Sequence, residues 1–402
     1  ETLRFSDGDI TVTHDDVLNR LVLTGTTGTD TITVVGSNPV TVLGIDGADV
    51  ITGGEGEDRL KGAAGADEIT GGAGDDTIEG GDGADIIGGG ADDDTILFTA
   101  AVTDVDDADF SNVTTIEAIT LSNGVNTATF GTNVDAASAG LTITGGTGVD
   151  TINLSSMTEA VSVLGGSGND SILGGTGADT ISGGANNDTI QGGSGANVLQ
   201  GDAGADEITG GADADTITGG DADENISGGN DDDILSGNYG DDIISGGQGI
   251  DVITGGDGAD TITGGDGSDT LTGGLGQDIF VYSSRYDYGD VITDFTAGSG
   301  GDLLDFRPLF TVLGYSGAHP FGEGWLQLEQ SGADLKVNLD RNGGGDSFSD
   351  TMATLKNVTA ADFITQNALP AGPLTNDPIT WTGTTASERY VSGGGDDTLD
   401  GG

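Results

Sequence analysis

Between Gly165 and Val281 one bulky apolar residue recurs at every ninth position: Ile172, Ile181, Ile190, Leu199, Ile208, Ile217, Ile226, Leu235, Ile244, Ile253, Ile262, Leu271 and Phe280. Its neighbours on either side are often threonine, so each three-residue stretch alternates and predicts a short strand with the apolar side chain on one side. Successive strands are separated by G-G-x-G-x-D, where glycine gives access to backbone conformations closed to other residues. The phrase is G-G-x-G-x-D-x-U-x, with U aliphatic, and two copies make one coil of about eighteen residues: strand, turn, strand back, turn. The predicted fold class is all-β, a right-handed parallel β-roll or β-solenoid whose core is one aliphatic layer thick. A flexible glycine-rich linker would not hold an aliphatic residue at that interval, and collagen has a period of three and far more than 6 prolines.

The same phrase divides the chain. Residues 1–43 form an N-terminal β segment leading into the solenoid, 44–97 a first block of repeats, and 165–281 the main block of thirteen units. Residues 98–164 keep β-rich runs (VTTIEAITL, TATFG, LTIT) without the glycine phrase and read as longer, metal-poor coils. From 282 to 370 aromatic residues appear, with an alternating run LQLEQSGADLKVNLD that predicts a hairpin, and this β-rich domain is placed as a cap over the last coil. Residues 371–382 read as a proline-containing linker and 383–402 as the start of a further block.

Charge turns this geometry into chemistry. The chain has 68 acidic against 10 basic residues, a formal charge of -58, and no lysine or arginine between Lys61 and Arg285. Nucleic acid is excluded as a partner by repulsion, and partners are expected to be cationic. There is no cysteine, and no apolar run long enough for a membrane-spanning helix. So thin a core, with so many glycines to order, leaves apolar burial insufficient to hold the coils. Carboxylates at position six stack every eighteen residues with no basic side chain to meet them. A hard, oxygen-liganded ion between turns resolves this, and Ca²⁺ suits carboxylate and carbonyl oxygen better than Mg²⁺ or Zn²⁺.

In these motifs the chain resembles the RTX (repeats-in-toxin) family of calcium-binding nonapeptide-repeat proteins of the type I secreted kind. The resemblance implies multiple Ca²⁺ ions held by position-six acids and turn carbonyls from one unit and the unit two ahead. On that basis the metal ligands are Asp49, Asp58, Asp67, Asp76, Asp85 and Asp94 in the first block. In the main block they are Asp170, Asp179, Asp188, Asp206, Asp215, Asp233, Asp242, Asp251, Asp260, Asp269 and Asp278, with Asp397 near the end. Asn197 and Glu224 replace aspartate, and Asn186, Asp213, Ala222 and Asp231 replace the fourth-position glycine, so those coils are expected to bind weakly or not at all. Asp30, Asp150 and Glu388 lack a partner in an unbroken run. The order DIFVY, DVITDF, DLLDF, LKVNLD, NVTAADF resembles the C-terminal module of serralysin-like proteins, which implies a capping role.

No catalytic motif stands out. His14 and His319 lie outside any H-E-x-x-H, there is no G-x-S-x-G, and acid pairs such as Asp75 and Asp76 are positions five and six of a repeat, one facing water and one the ion. The chain is expected not to be an enzyme. The expected role is a secreted, cell-surface structural protein (surface layer, filament or adhesin) that folds on calcium, with self-association or cell-surface polysaccharide as further partners. The alternative is the carrier region of a larger toxin or enzyme.

Overall fold

The computed structural model describes residues 21–83, 85–99, 115–131, 134, 140–315, 320–321, 323–343, 348 and 350–363, and the backbone of short strands at 2–4, 9–13, 368–369, 381–383, 389–390 and 400–401. His14, His319, Glu388 and Asp397 lie outside the described residues. The chain forms two compact units, Glu1–Val198 and Leu199–Gly402.

The first unit is a stack of parallel strands on two faces. Val40–Asp46, Arg59–Ala64, Thr77–Asp82 and Thr95–Leu97 follow one another on one face, and Thr31–Val35, Val50–Gly54, Glu68–Ala73 and Ile86–Ala91 on the other. The register places U on U, as in Leu60↔Ile78 and Ile51↔Ile69. The stack continues without the glycine phrase: Ile96 pairs with Ile119, Ile119 with Ile143, and Ala128 with Ile152. Coils in that stretch are longer, since the hydrogen bond that links equivalent positions spans 23 residues from Asp94 to Glu117 and 24 from Asn126 to Asp150, against 18 from Asp49 to Asp67.

The second unit continues the same way of building. Ile234–Tyr239, Val252–Asp257 and Thr270–Leu275 stack on one face, and Ile243–Gln248, Thr261–Asp266 and Ile279–Val281 on the other. Every U side chain here is buried to within 1 % of full, and each is the sole bulky apolar residue that its strand sends inward.

The strands are longer than the alternation predicts. Thr261–Asp266 is six residues, TITGGD, and the ladder runs on through the glycines, Ser245↔Thr263 and then Gly247↔Gly265. Two different steric demands make this possible. A Cβ at Gly255, first in its unit, would collide with Oδ2 of its own Asp260 and lie 2.6 Å from the Gly273 carbonyl of the next coil. At the second glycine, Gly265, φ is +110, and a Cβ would strike the Gly247 carbonyl of the coil before. A bare backbone therefore pairs where any side chain would force the coils apart.

The roll ends in a different material. Asp290–Ile292 pairs with Thr270–Leu275 and then with Asp350–Leu355, which joins an antiparallel hairpin of Leu326–Ser331 and Asp334–Leu339. That hairpin is the one the alternation predicts. A short helix, α1 (Arg307–Leu313), with proline in its first turn and a left-handed Gly314 at its end, sets Leu309 and Phe310 into the interior. There Tyr282 stacks on Phe306 at 4.9 Å, and Phe310, Tyr315 and Trp325 form a ring cluster with centroids 4.8 to 6.4 Å apart.

Candidate metal centre

The position-six acids are as buried as the aliphatic column. Asp49, Asp58, Asp67, Asp76 and Asp94, and Asp170, Asp179, Asp188, Asp206, Asp215, Asp233, Asp242, Asp251, Asp260, Asp269 and Asp278, are each 0 to 3 % exposed, as are Asp30 and Asp150; Asp85 is half-buried. Position places them there: the residue before x-U-x sits where the turn folds back onto the strand, with its side chain inside the bend.

One carboxylate oxygen has a fixed task. The amide of each position-six residue donates to Oδ1 of its counterpart one coil on: Asp49 to Asp67 at 2.8 Å, Asp58 to Asp76 at 2.7 Å, Asp233 to Asp251 at 2.9 Å, Asp242 to Asp260 at 2.9 Å. The other oxygen has none. Oδ2 of Asp49, Asp58, Asp67, Asp76, Asp94, Asp150, Asp170, Asp233, Asp242, Asp251, Asp260, Asp269 and Asp278 is buried without a hydrogen-bond donor. A buried carboxylate oxygen with no donor costs on the order of 1–3 kcal/mol or more, so a column of them is untenable as bare anions.

Burial accordingly pushes these carboxyls upward. Asp76, Asp233 and Asp260 rise to about 7, through loss of solvent first and the charges of stacked neighbours second. Asp58, Asp94, Asp269 and Asp278 rise to about 6 by the same leading cause.

Asn126 shows which oxygens surround that place. It occupies position six of an irregular coil, and its Nδ2 reaches the carbonyls of Ser122 (2.9 Å) and Gly124 (3.0 Å) in its own turn. The same nitrogen lies 2.8 Å from Asp150 Oδ1 and 3.4 Å from the Gly145 carbonyl one coil on. An amide nitrogen thus sits among turn carbonyls and the carboxylate of the following coil, a hard, all-oxygen environment that favours Ca²⁺. Side chains alone do not make such a site: among the described residues no three carboxylates or imidazoles converge to hold an ion. Carbonyls have to complete any shell. The residues present fit calcium, with position-six Oδ2 and turn carbonyls as the donors.

Position-five aspartates behave otherwise than the alternation suggests. They are exposed, but they also bond: Asp223 accepts from the Asp241 amide at 2.8 Å, Asp232 from Ile250 at 2.7 Å, and Asp241 from Ala259 at 2.7 Å. Position six takes an amide from the coil before and position five from the coil after, so an acid pair ties its turn in both directions.

Three acids outside the nonapeptide join the ladder, and a fourth lies beside one of them. Glu117 Oε2 accepts from the Asp94 amide (2.8 Å), Asp290 Oδ1 from Asp269 (3.0 Å), and Asp302 Oδ1 from Asp278 (3.0 Å). Asp287 lies beside Asp290, both fully buried, and burial followed by Asp290's charge lifts Asp287 to about 9. The signal for two of them was available: GDVI and GDLL keep the aspartate directly before an x-U pair.

The sequence model of the RTX calcium-binding nonapeptide repeat matches residues 43–78, 62–96, 164–199, 191–221, 218–253, 245–280 and 382–402. Among solved structures, the AlgE6R2 subunit of the Azotobacter vinelandii mannuronan C5-epimerase is similar at 30 % identity and TM-score 0.29, over 37 % of this chain and 94 % of that one. The AlgE6R3 subunit of the same enzyme is similar at 25 % identity and TM-score 0.22, over 45 % of this chain and 93 % of that one. No curated protein sequence matches the chain.

Proposed function

Since the chain is an RTX calcium-binding repeat protein, we propose that it is an extracellular structural element whose two-faced roll becomes rigid when calcium fills its turns. The observation that carries this reading is the column of buried Oδ2 atoms without a donor, most of it between Lys61 and Arg285, where the chain has no basic side chain. Calcium, when bound, would supply a divalent charge that accepts six to eight oxygen ligands in a loose geometry. The chain's own residues do the rest: glycines let the coils close, position six presents an oxygen inward, and turn carbonyls face it.

The ligands we assign are the position-six aspartates from Asp49 to Asp94 and from Asp170 to Asp278, one ion to each turn that offers an open carboxylate. Weak sites of about 10⁻⁴ to 10⁻³ M, the range of extracellular modules, would stay empty in a cytosol and fill outside. Folding is then coupled to export, and the product is a stiff, strongly acidic repeat protein suited to a coat, filament or adhesin. No described helix is long and apolar enough to cross a membrane.

The test is circular dichroism of the full chain during a calcium titration, with magnesium as control. A gain of β-signal in calcium near millimolar, absent in magnesium, is the expected result. An equal response to the two ions, or none to either, overturns the reading. Electron microscopy of producing cells then tests the structural role, the expected outcome being an ordered coat or fibre that is lost when the gene is deleted.

A further inference from the structure

Position two of the repeat carries a conformational signature. Its φ lies in the left-handed region at Gly54, Gly72, Gly229, Gly247 and Gly265, and even where the residue is Asp202 or Asn238, at φ 74 and 78. Among the described repeat turns three depart from this, at Thr26, Gly175 and Gly220. In those same three turns the position-two amide donates to the position-six carboxylate: Thr26 to Asp30 Oδ2 at 2.6 Å, Gly175 to Asp179 Oδ2 at 3.0 Å, and Gly220 to Glu224 Oε2 at 3.1 Å. The oxygen that stays without a donor in other turns is here met by the turn's own N–H.

Glu224 is the informative case. Asp30 belongs to an isolated copy of the phrase, residues 25–33, and the turn of Asp179 lies over the irregular coil at Met157, whose carbonyl a Cβ at Gly175 would meet at 2.5 Å. The turn of Glu224 instead lies between two nine-residue repeats, 201–209 and 237–245, that keep the left-handed position two, and its amide still donates to Asp242 Oδ1 at 2.8 Å as the ladder requires. Closure there comes from its own residues. Aspartates make the bond to the position-two amide in the other two turns; in this turn Glu224 adds a second, Oε1 taking the Ala222 amide at 3.2 Å while Oε2 takes that of Gly220. Ala222 also stays outside the left-handed region that Asn186, Asp213 and Asp231 adopt at the same position, where a Cβ without a polar group is disfavoured.

We propose that the turn Gly219–Glu224 is closed by its own glutamate and takes no calcium, leaving one built-in gap in the series of ion sites along the second unit. The proposal rests on the calcium reading of the other turns. Two amide dipoles with their positive ends at the carboxylate occupy the oxygens that a cation would need, and they point at the cation's place. Glu224 is thus a specificity-determining residue: it sets which turns fill.

Native mass spectrometry of the full chain, saturated with calcium, counts bound ions directly. The double substitution Ala222→Gly with Glu224→Asp restores the repeat and is expected to hold one ion more than the wild type, whereas Glu224→Gln is expected to add none. Equal counts for wild type and double variant, with matching circular dichroism, overturn the proposal. Should the double variant not fold, calcium anomalous scattering from wild-type crystals decides: a peak beside Glu224 overturns it, and peaks beside Asp242 and Asp260 with none at Glu224 support it. No calcium on any chain would instead sink the underlying calcium reading, a distinguishable failure.

Discussion

The coils from Gly228 to Val281 and the module from Tyr282 to Phe363 share a sheet edge but are made of different interiors. A coil buries one aliphatic side chain and one carboxylate per strand, and no basic residue is at hand to answer the charge. The module buries Tyr282, Phe306, Phe310 and Trp325's ring neighbours against one another, and two of its basic residues meet acids, Arg307 with Asp305 at 2.6 Å and Lys356 with Asp334 at 2.7 Å. Away from the junction, where Asp287, Asp290 and Asp302 carry the buried acids on past the last coils, the module is closed by its own side chains, whereas the coils need something from solution. Cohesion in this protein is therefore of two kinds, and each can be removed without the other.

Chelation is the strongest way to break the comparison. With calcium withdrawn by EGTA at pH 7.5, the far-ultraviolet β-signal of the full chain is expected to collapse. Trp325, half-buried in the ring cluster, is expected to keep its fluorescence when read in a Trp381→Phe background. Simultaneous loss of both signals would show that the module depends on the ion as much as the coils do.

Acid should partly replace the ion. Asp76, Asp233 and Asp260 rise to about 7 and Asp58, Asp94, Asp269 and Asp278 to about 6, from 3.8, by burial first. A carboxyl raised by folding binds its proton more tightly in the folded state, so its contribution is full below pH 3.8 and is lost as pH rises through 6 to 7. The calcium-free chain is expected to gain β-structure between pH 7.5 and 4.5, and the calcium midpoint to rise over the same interval because protons compete for the same oxygens. A calcium-free signal that stays flat or falls on acidification contradicts the burial of these groups.

The coils were legible in the sequence because their period is strict: among the described residues each U at its ninth position, and each position-six aspartate but Asp85, proved buried. What escaped was whatever breaks the count. Asn126 acts across 24 residues, Glu117 across 23 and Asp302 across 24, so no fixed step reaches them. The strand length was underread at Gly264 and Gly265, since glycine looks like a turn residue while its lack of a side chain is what lets the ladder pass. Helix α1 was hidden for another reason, as seven residues carry too short a pattern to separate from a loop.

Core substitutions sharpen the contrast at single residues. Phe306→Ala, in the ring cluster, is expected to cost about 3–5 kcal/mol, and Ile262→Ala, in the column, about 2–5 kcal/mol. The two differ in what they couple to. Ile262→Ala should raise the calcium concentration needed for folding, because binding and coil formation are one equilibrium. Phe306→Ala should lower the melting temperature of the module's Trp325 signal and leave the calcium midpoint of the far-ultraviolet signal nearly unchanged. The reverse assignment, in thermal melts at fixed calcium, would mean that the two interiors are one cooperative unit.

The smallest expected effect separates two neighbouring acids. Asp241 and Asp242 stand side by side, yet Asp241 is exposed and accepts one amide, from Ala259 at 2.7 Å, whereas Asp242 is 1 % exposed and accepts from Glu224 at 2.8 Å with Oδ2 left without a donor. Asp241→Ala removes one hydrogen bond that water can replace, worth about 1 kcal/mol or less, and leaves the ion count unchanged. Asp242→Ala strands a buried amide and deletes an inward oxygen, so it should lose at least one ion and shift the calcium midpoint further. If native mass spectrometry shows both variants losing an ion, the outer acids are ligands as well, and the division of each acid pair into a tie and a ligand is wrong.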